Sequence, residues 1–340
     1  MDQIGSSSQD HPLVAPTASQ PRRTGSPIKV LWTIIRGLAV VLNLVLILLV
    51  VGALIVAGGA HRGLQEYVIQ SGPQKDKIVI IPVRGIIDSR LTEQFSQQIR
   101  AGSKDKAIKG LIIRISSPGG TISGSDQLYH QIIQYKQQTG VPVVAFMEGT
   151  AASGGYYVAV GCQRIVAEPT AITGSIGVLM GHFVLGGLLE DKLGIKPVVL
   201  KSGQKKDWPS SFDPPTPEQL DYLQERLLTP AYERFVEVVA EGRSPVLSAD
   251  QVRALADGGI YTAPHALEEG LIDQVGYLDD AIDLVKSMAG LEKARVVEYR
   301  RAFSLMDLLV QAYKDIPIRL DRSRLFELTT PEPMYLWRAY

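Results

Sequence analysis

The stretch Thr150 to Ala159, TAASGGYYVA, sets one serine among small and apolar residues, with two glycines directly after it. Small residues on both sides suit a sharp turn from strand to helix, which exposes a hydroxyl at the helix start. Such a hydroxyl attacks a carbonyl once a base removes its proton. The same position also suits an ordinary N-cap, whose side chain accepts a hydrogen bond from the first turn. The G-x-S-x-G elbow is only partly met, because Ala151 stands in its first position. As a nucleophile, Ser153 would have the backbone N–H of Gly154 beside it, suited to hold an oxyanion. No histidine lies near it in sequence, so its base must come from elsewhere in the chain.

Three further stretches offer parts of a site. In RISSPGGTISGSD a β-branched run enters Ser-Pro-Gly-Gly and then a helix. Paired glycines leave N–H groups free to face a ligand, which makes Gly119 or Gly120 a candidate oxyanion donor. The pattern is neither of the two phosphate-binding glycine loops. In KSGQKKDWPSSFDPP, from Lys201 to Pro215, three lysines share a loop. A lysine that is desolvated, or beside other cations, has a lowered pKa and can take a serine proton as a neutral amine. The residues alone leave Lys201, Lys205 and Lys206 open. In TGSIGV, from Thr173 to Val178, the hydroxyl of Ser175 suits the orienting of an amine. Among the histidines, His130 falls within a helix and His265 at a helix start, which leaves His182 as the rival base.

The elements that must hold these residues alternate between strand and helix. Strands are expected at KIVIIPV, GLIIRI, VPVVAFME, RIVA and KPVVL. Their near-continuous apolar character is that of strands buried on both faces. Helices are expected at LTEQFSQQIRAG, at GSDQLYHQIIQYKQQTG up to Gly140, after Ser153, near GGLLEDKLG, and from about Thr216 and Ser248. This alternation predicts an α/β domain with mainly parallel pairing over residues 77–300. Residues 1–36 read as a disordered cytoplasmic leader rich in Ser, Pro and Gln. Residues 37–60 carry no charge and are long enough to cross a bilayer. Residues 61–76 read as a linker, and 301–340 as a helical extension packed on the core, from the spacing of FSLMDLLVQAY. Arg22, Arg23, Lys29 and Arg36 precede the span and only Arg62 follows closely. That asymmetry predicts a single-pass protein of the cell membrane, with a cytoplasmic N-terminus and an extracytoplasmic domain.

With 35 basic and 35 acidic side chains, charge gives no reason to expect a nucleic-acid partner. One cysteine, Cys162, excludes an intrachain disulfide and reads as a core residue. Five scattered histidines without an HExxH pattern point to no metal site.

In this order and spacing, IIRISSPGG, GTAASGGYYVAVGCQRIVAEPTAITGSIGV, EDKLGIKPVVLKSGQKKDW and GRSPVLSADQVRALADGGIYTAPHALEEGLIDQVGYLDDAI resemble the bacterial signal peptide peptidases of the protease IV type. The resemblance covers about Lys77 to Lys286. It implies a Clp protease/crotonase-like fold, an α/β spiral of β-β-α units, assembled into a ring-shaped homo-oligomer around an apolar-lined chamber. It implies Ser153 as nucleophile and Lys206, in S-G-x-x-K-D, as general base in the same chain, with Lys205 a neighbouring cation. Ser175 then orients the lysine, and Gly120 and Gly154 supply the oxyanion N–H groups. The implied activity is that of a membrane-anchored serine endopeptidase without cofactor or metal, hydrolysing short apolar peptides such as cleaved signal peptides. Two stretches depart from the family: Trp208 with SSFDPP replaces a more usual Ile-Gly-type run, and MGHFVLGG differs, which leaves the specificity pocket open. Two other readings share the fold. A crotonase-like acyl-CoA enzyme would keep the oxyanion turn without the nucleophile, but coenzyme A is cytosolic. A non-catalytic membrane scaffold would have no use for intact Ser153, Lys206 and glycine pairs.

Overall fold

The computed structural model describes residues 27–60, 64–244, 246–301 and 332–337. The chain divides into two compact units, residues 1–60 and 61–340.

The first unit contributes one helix, α1 (Pro27–Ala60). It begins ten residues ahead of the apolar span expected from Gly37, because the charges of Lys29 and Arg36 are widely spaced among apolar residues and nothing there breaks a helix. Its stretch Ile28–Ala53 is long and apolar enough to cross a membrane. Two uncharged polar side chains within it bond to their own helix: Thr33 Oγ1 to the Lys29 carbonyl (2.9 Å) and Asn43 Nδ2 to the Ala39 carbonyl (2.8 Å). Such internal bonding is what lets polar side chains enter an apolar medium. The leader before residue 27, with Arg22 and Arg23, and Arg62 lie outside the described residues.

The second unit is the expected α/β domain. In chain order it runs β1 (Leu64–Gln70), β2 (Lys77–Arg84), α2 (Ser89–Lys104), β3 (Ile108–Ser117), β4 (Gly119–Thr121), α3 (Ile122–Thr139), β5 (Val143–Ala152), α4 (Gly154–Ala159), β6 (Arg164–Ala167) and β7 (Ile172–Gly174). After a long irregular segment come α5 (Pro217–Leu223), α6 (Thr229–Arg243), α7 (Ala249–Leu255), β8 (Ile260–Thr262), α8 (Ala263–Glu268), β9 (Gln274–Val275), α9 (Leu278–Ala289), β10 (Arg295–Arg301) and β11 (Met334–Leu336). The main sheet has the order β1-β10-β2-β3-β5-β6-β9, with β7 beside β5 and β8 beside β7. Pairing is parallel from β10 through β9, and antiparallel only where β1 joins β10 and β8 joins β7.

Both faces of the central strands are buried, which is why they read as unbroken apolar runs. Val79, Ile81, Ile113, Ile115, Ala145 and Met147 pack toward the core shared with α2, α3, α4 and α6. Their alternates Ile78, Ile80, Ile112, Val144 and Phe146 meet Ala281, Ile282 and Val285 of α9. Each such side chain contributes about 1.5–3 kcal/mol of burial free energy.

Three further expectations differ from what is found. The segment read as a linker holds β1, a sheet-edge strand whose side chains are mostly exposed. KPVVL forms no strand, because it has no neighbour in the sheet, and Val198 and Leu200 stand 82% and 94% exposed. Within the region read as a helical extension, the described part is the strand β11; FSLMDLLVQAY lies outside the described residues.

A part-buried ion triad ties β1 to the domain. Lys77 Nζ donates to Glu66 Oε1 and Asp105 Oδ2, each at 2.7 Å. Burial alone would lower the Lys77 pKa, but the two carboxylates outweigh it and raise it. The hydrogen bond from Lys77 holds the Asp105 carboxyl below its ordinary range, against the opposing effect of burial. A depressed carboxyl stabilises the fold above the ordinary carboxylate range and ceases to as pH falls through its folded pKa. Lys77→Met is therefore expected to cost about 1–3 kcal/mol at neutral pH by leaving two carboxylates unpaired. Urea unfolding should show that gap narrowing below about pH 4; a gap of the same size at pH 3 would count against the triad.

Candidate active site

The site begins where two parallel strands end together. β5 and β7 pair Thr150 with Ile172, Ala151 with Thr173 and Ala152 with Gly174, so Ser153 and Ser175 leave the sheet as neighbours. The Ser153 N–H donates to the Gly174 carbonyl (2.8 Å), and the Thr173 hydroxyl to the Ala151 carbonyl (2.7 Å). Among the described residues, Ser153 (φ 53°) and Ser175 (φ 51°) are the non-glycine residues with positive φ. Backbone strain of this kind costs about 1–3 kcal/mol and persists where the surroundings over-determine it, commonly at functional sites. Ser153 occupies the N-cap position of α4, yet its side chain makes no capping hydrogen bond. The ordinary N-cap reading is thereby removed, and the hydroxyl is left for other use.

Opposite Ser153 lies the Ser-Pro-Gly-Gly turn. Gly119 has φ +102°, a conformation that favours glycine. A side chain on Gly119 would collide with the Tyr335 carbonyl oxygen and come within 2.7 Å of the Gly154 nitrogen. One on Gly154 would stand 3.0 Å from the same carbonyl oxygen. Gly120 has the Ile87 backbone at its Cα and pairs with Tyr335 in the β4–β11 ladder. Gly119 and Gly154 thus meet at one backbone carbonyl, and Gly120 is the ladder partner of the same residue.

That carbonyl belongs to β11, an extended strand held on both edges. Along one edge Met334, Tyr335 and Leu336 pair antiparallel with Thr121, Gly120 and Gly119, and the Trp337 N–H donates to the Pro118 carbonyl (2.8 Å). Along the other, Met334 and Leu179 exchange both backbone hydrogen bonds, at 2.9 and 3.0 Å. The Tyr335 side chain is fully buried in an aromatic box. Its ring stacks on Tyr157 (centroids 5.0 Å apart, 22° between planes) and tilts against Phe235 (4.7 Å). Its hydroxyl donates to the Ala231 carbonyl (2.7 Å), while Tyr157 donates to Asp126 (2.6 Å). Burial, foremost, pushes both phenols up, so both remain neutral donors. A cavity of about 320 Å³ runs beside this strand, bordered by Ser175, Leu179, Tyr232, Asp257 and Leu336.

Of the residues singled out in the sequence, Ser153, Ser175, Gly119, Gly120 and Gly154 are brought together here. Lys206 is not. It sits in a 3₁₀ turn, Gln204–Asp207, with its side chain exposed and without a hydrogen bond or ion pair among the described residues. Lys201 is bound to Asp207, both carboxylate oxygens at 2.9 Å, and this hydrogen bonding holds the Asp207 carboxyl below its ordinary range. Lys205 lies over the rings of Tyr222 and Trp208. His130 and His265 are exposed; His182 is partly buried, with Nε2 buried and unpaired. None of the three bonds to Ser153 among the described residues. Cys162 is buried, and burial pushes its thiol up to about 12, so it is an inert core residue. Nothing in the local sequence marks Leu179, Ala231, Phe235 or β11 as parts of a site. Tyr157 lay in the TAASGGYYVA stretch, but nothing local marks it as the wall of an aromatic box.

The model of peptidase family S49 matches residues 135–292. An Enterococcus faecium protein that carries the name signal peptide peptidase SppA is 38% identical over 246 residues, covering 69% of this chain and 70% of that one. The chloroplastic serine protease SPPA of Arabidopsis thaliana is 31% identical over 289 residues, 80% of this chain and 42% of that one. Among solved structures, a mutant of the 1510-N membrane-bound stomatin-specific protease, in complex with a substrate peptide, aligns over 71% of this chain and 99% of its own at 19% identity and a TM-score of 0.43. The signal peptide peptidase resemblance of the motifs is thus matched across more than two thirds of a relative's length, and the chain belongs to peptidase family S49, as a serine peptidase.

Proposed function

We propose that this peptidase is a membrane-anchored endopeptidase with a Ser–Lys dyad, acting on short apolar peptides such as cleaved signal peptides. The seating of Tyr335 carries this reading. A peptide laid along the same two edges, β4 and Leu179, turns one carbonyl oxygen toward Gly119, Gly120 and Gly154, and the adjoining side chain into the aromatic box. Extended peptides gain affinity from such main-chain pairing and specificity from pockets for alternate side chains.

In the proposed reaction Ser153 Oγ attacks that carbonyl. The N–H groups of Gly120 and Gly154 hold the developing oxyanion, a contribution of about 3–4 kcal/mol per donor in comparable sites. Lys206 takes the serine proton and returns it to the leaving amine; a water then frees the acyl group by the same route. Ser175 orients the lysine. In a single chain Lys206 faces solvent, and the segment before it exposes Phe183, Ile195, Val198 and Leu200. An apolar face of this kind suits a second copy in a ring, and we assign to assembly the step that gives Ser153 its amine. The helix α1 is the proposed anchor. Lys29 and Arg36 at its start favour a cytoplasmic N-terminus and an extracytoplasmic domain.

The strain at Ser153 separates nucleophile from structural residue. Ser153→Gly is expected to abolish peptide cleavage and labelling by a fluorophosphonate probe, yet to stabilise the fold by about 1 kcal/mol. A lower melting temperature than the parent's would sink the strain argument, and retained labelling at another serine would move the nucleophile. A mixture of Ser153→Ala and Lys206→Ala protomers, refolded or exchanged together, is expected to regain activity that neither variant has alone. No recovery would return the dyad to one chain, and activity in Lys206→Ala alone would remove Lys206 as the base. Peptides with Tyr or Phe before the scissile bond should show kcat/KM about tenfold or more above the Ala equivalents; equal values would exclude the aromatic box as the pocket for that side chain.

A further inference from the structure

Three lysines crowd the loop that follows residue 200, and each has a different occupation. Lys201 spans to Asp207 and closes the loop on itself. Lys205 Nζ stands 4.1 Å from the ring centroid of Tyr222, on α5, and 5.2 Å from that of Trp208. Those rings meet edge to face, with centroids 5.6 Å apart and planes at 81°, so the ammonium sits in an aromatic corner. Lys206, the next residue, has no hydrogen bond, ion pair or ring contact among the described residues.

Aromatic faces attract the charged ammonium, not the neutral amine, and a carboxylate does the same. Lys205 and Lys201 are therefore already engaged, one by aromatic rings and the other by a carboxylate, which leaves Lys206 as the lysine of this loop without such a contact among the described residues. In a 3₁₀ turn successive side chains point about 120° apart. Holding Lys205 against α5 therefore turns Lys206 away from α5. The turn's own bonds, from the Lys206 N–H to the Gly203 carbonyl (3.1 Å) and from the Trp208 N–H to the Lys205 carbonyl (3.4 Å), carry that orientation through the backbone.

We propose that Trp208 and Tyr222 form a positioning clamp: by gripping Lys205 they fix the rotation of the turn and present Lys206 as the loop's uncommitted amine. The proposal rests on the reading of Lys206 as the base. It also gives a purpose to Trp208, one of the residues at which the chain departs from its family's usual run.

The test is kinetic and uses the full chain. Lys205→Met and Trp208→Leu are expected to lower kcat on a peptide substrate by roughly tenfold with KM within about twofold, the signature of a misplaced catalytic group. Lys205→Arg should recover most of the loss, since a guanidinium also stacks on aromatic faces, and Trp208→Phe should do so by keeping a ring. The double variant Lys205→Met/Trp208→Leu should be no worse than the poorer single one, because both remove the same contact. Lys205 is exposed, so Lys205→Met tests the clamp without threatening the fold. Parental kcat in both Lys205→Met and Trp208→Leu, or no recovery with Arg, would overturn the clamp. If those two variants are unimpaired while Lys206→Ala is inactive, the clamp alone fails; if Lys206→Ala is active, the dyad fails instead.

Discussion

The backbone hydrogen bond from Ser153 to the Gly174 carbonyl closes the parallel pairing of β5 with β7, and the site is built outward from it. Parallel strands in register end side by side, so two serines far apart in sequence emerge as neighbours. Each leaves its strand through a positive φ. The turn after β3 comes to the same end of the sheet because β3 is the parallel neighbour of β5 on the other side, with Ser117 opposite Ala151. The proposed nucleophile, oxyanion glycines and orienting hydroxyl therefore come from the ends of three adjacent parallel strands, where open α/β sheets commonly hold ligands.

This arrangement is held by the buried layers beneath it. Two strained serines together cost about 2–6 kcal/mol. Against that stand β3 and β5, most of whose side chains are buried, with α4 docked so that its Tyr156, Tyr157, Val158 and Ala159 are all fully buried. The hydroxyl of Tyr156 donates to the Leu271 carbonyl (2.8 Å), and Arg243 joins the Gly270 carbonyl to Asp273. The elbow cannot relax toward helical or extended backbone without disturbing these contacts. Rigidity of this kind is what a preorganised oxyanion site requires.

The sheet was legible because burial on both faces leaves a strong mark: KIVIIPV and GLIIRI are unbroken apolar runs, and they became β2 and β3. KPVVL carries the same mark and misleads. Its apolar side chains are exposed, and local sequence does not distinguish a strand's core from a surface awaiting cover. β1 gave the opposite error, since an edge strand with exposed side chains is held by backbone pairing to β10, which composition does not record. The serines and glycines of the site were legible because small residues at turns have few other reasons to cluster. The aromatic box was not. Tyr157, Phe235 and Tyr335 come from three distant segments, and each alone looks like ordinary core. The same holds for the lysine loop: the nearer of the two rings that engage Lys205 lies on α5, beyond the loop, so neither periodicity nor spacing points to it.

A strand that fills the groove and belongs to the same chain has a consequence for affinity. β11 is tethered to β10 by the residues between Arg301 and Met334, so it meets the groove at an effective concentration set by that tether. Such linkage makes binding intramolecular, so the occupant competes at a local rather than a bulk concentration. A peptide free in solution at micromolar levels competes poorly against such an occupant, even with equal contacts. A peptide confined to a membrane surface, where two dimensions replace three, reaches the local densities at which exchange becomes favourable. On the proposed reading, the enzyme is thereby selective for where a peptide is as well as for what it contains.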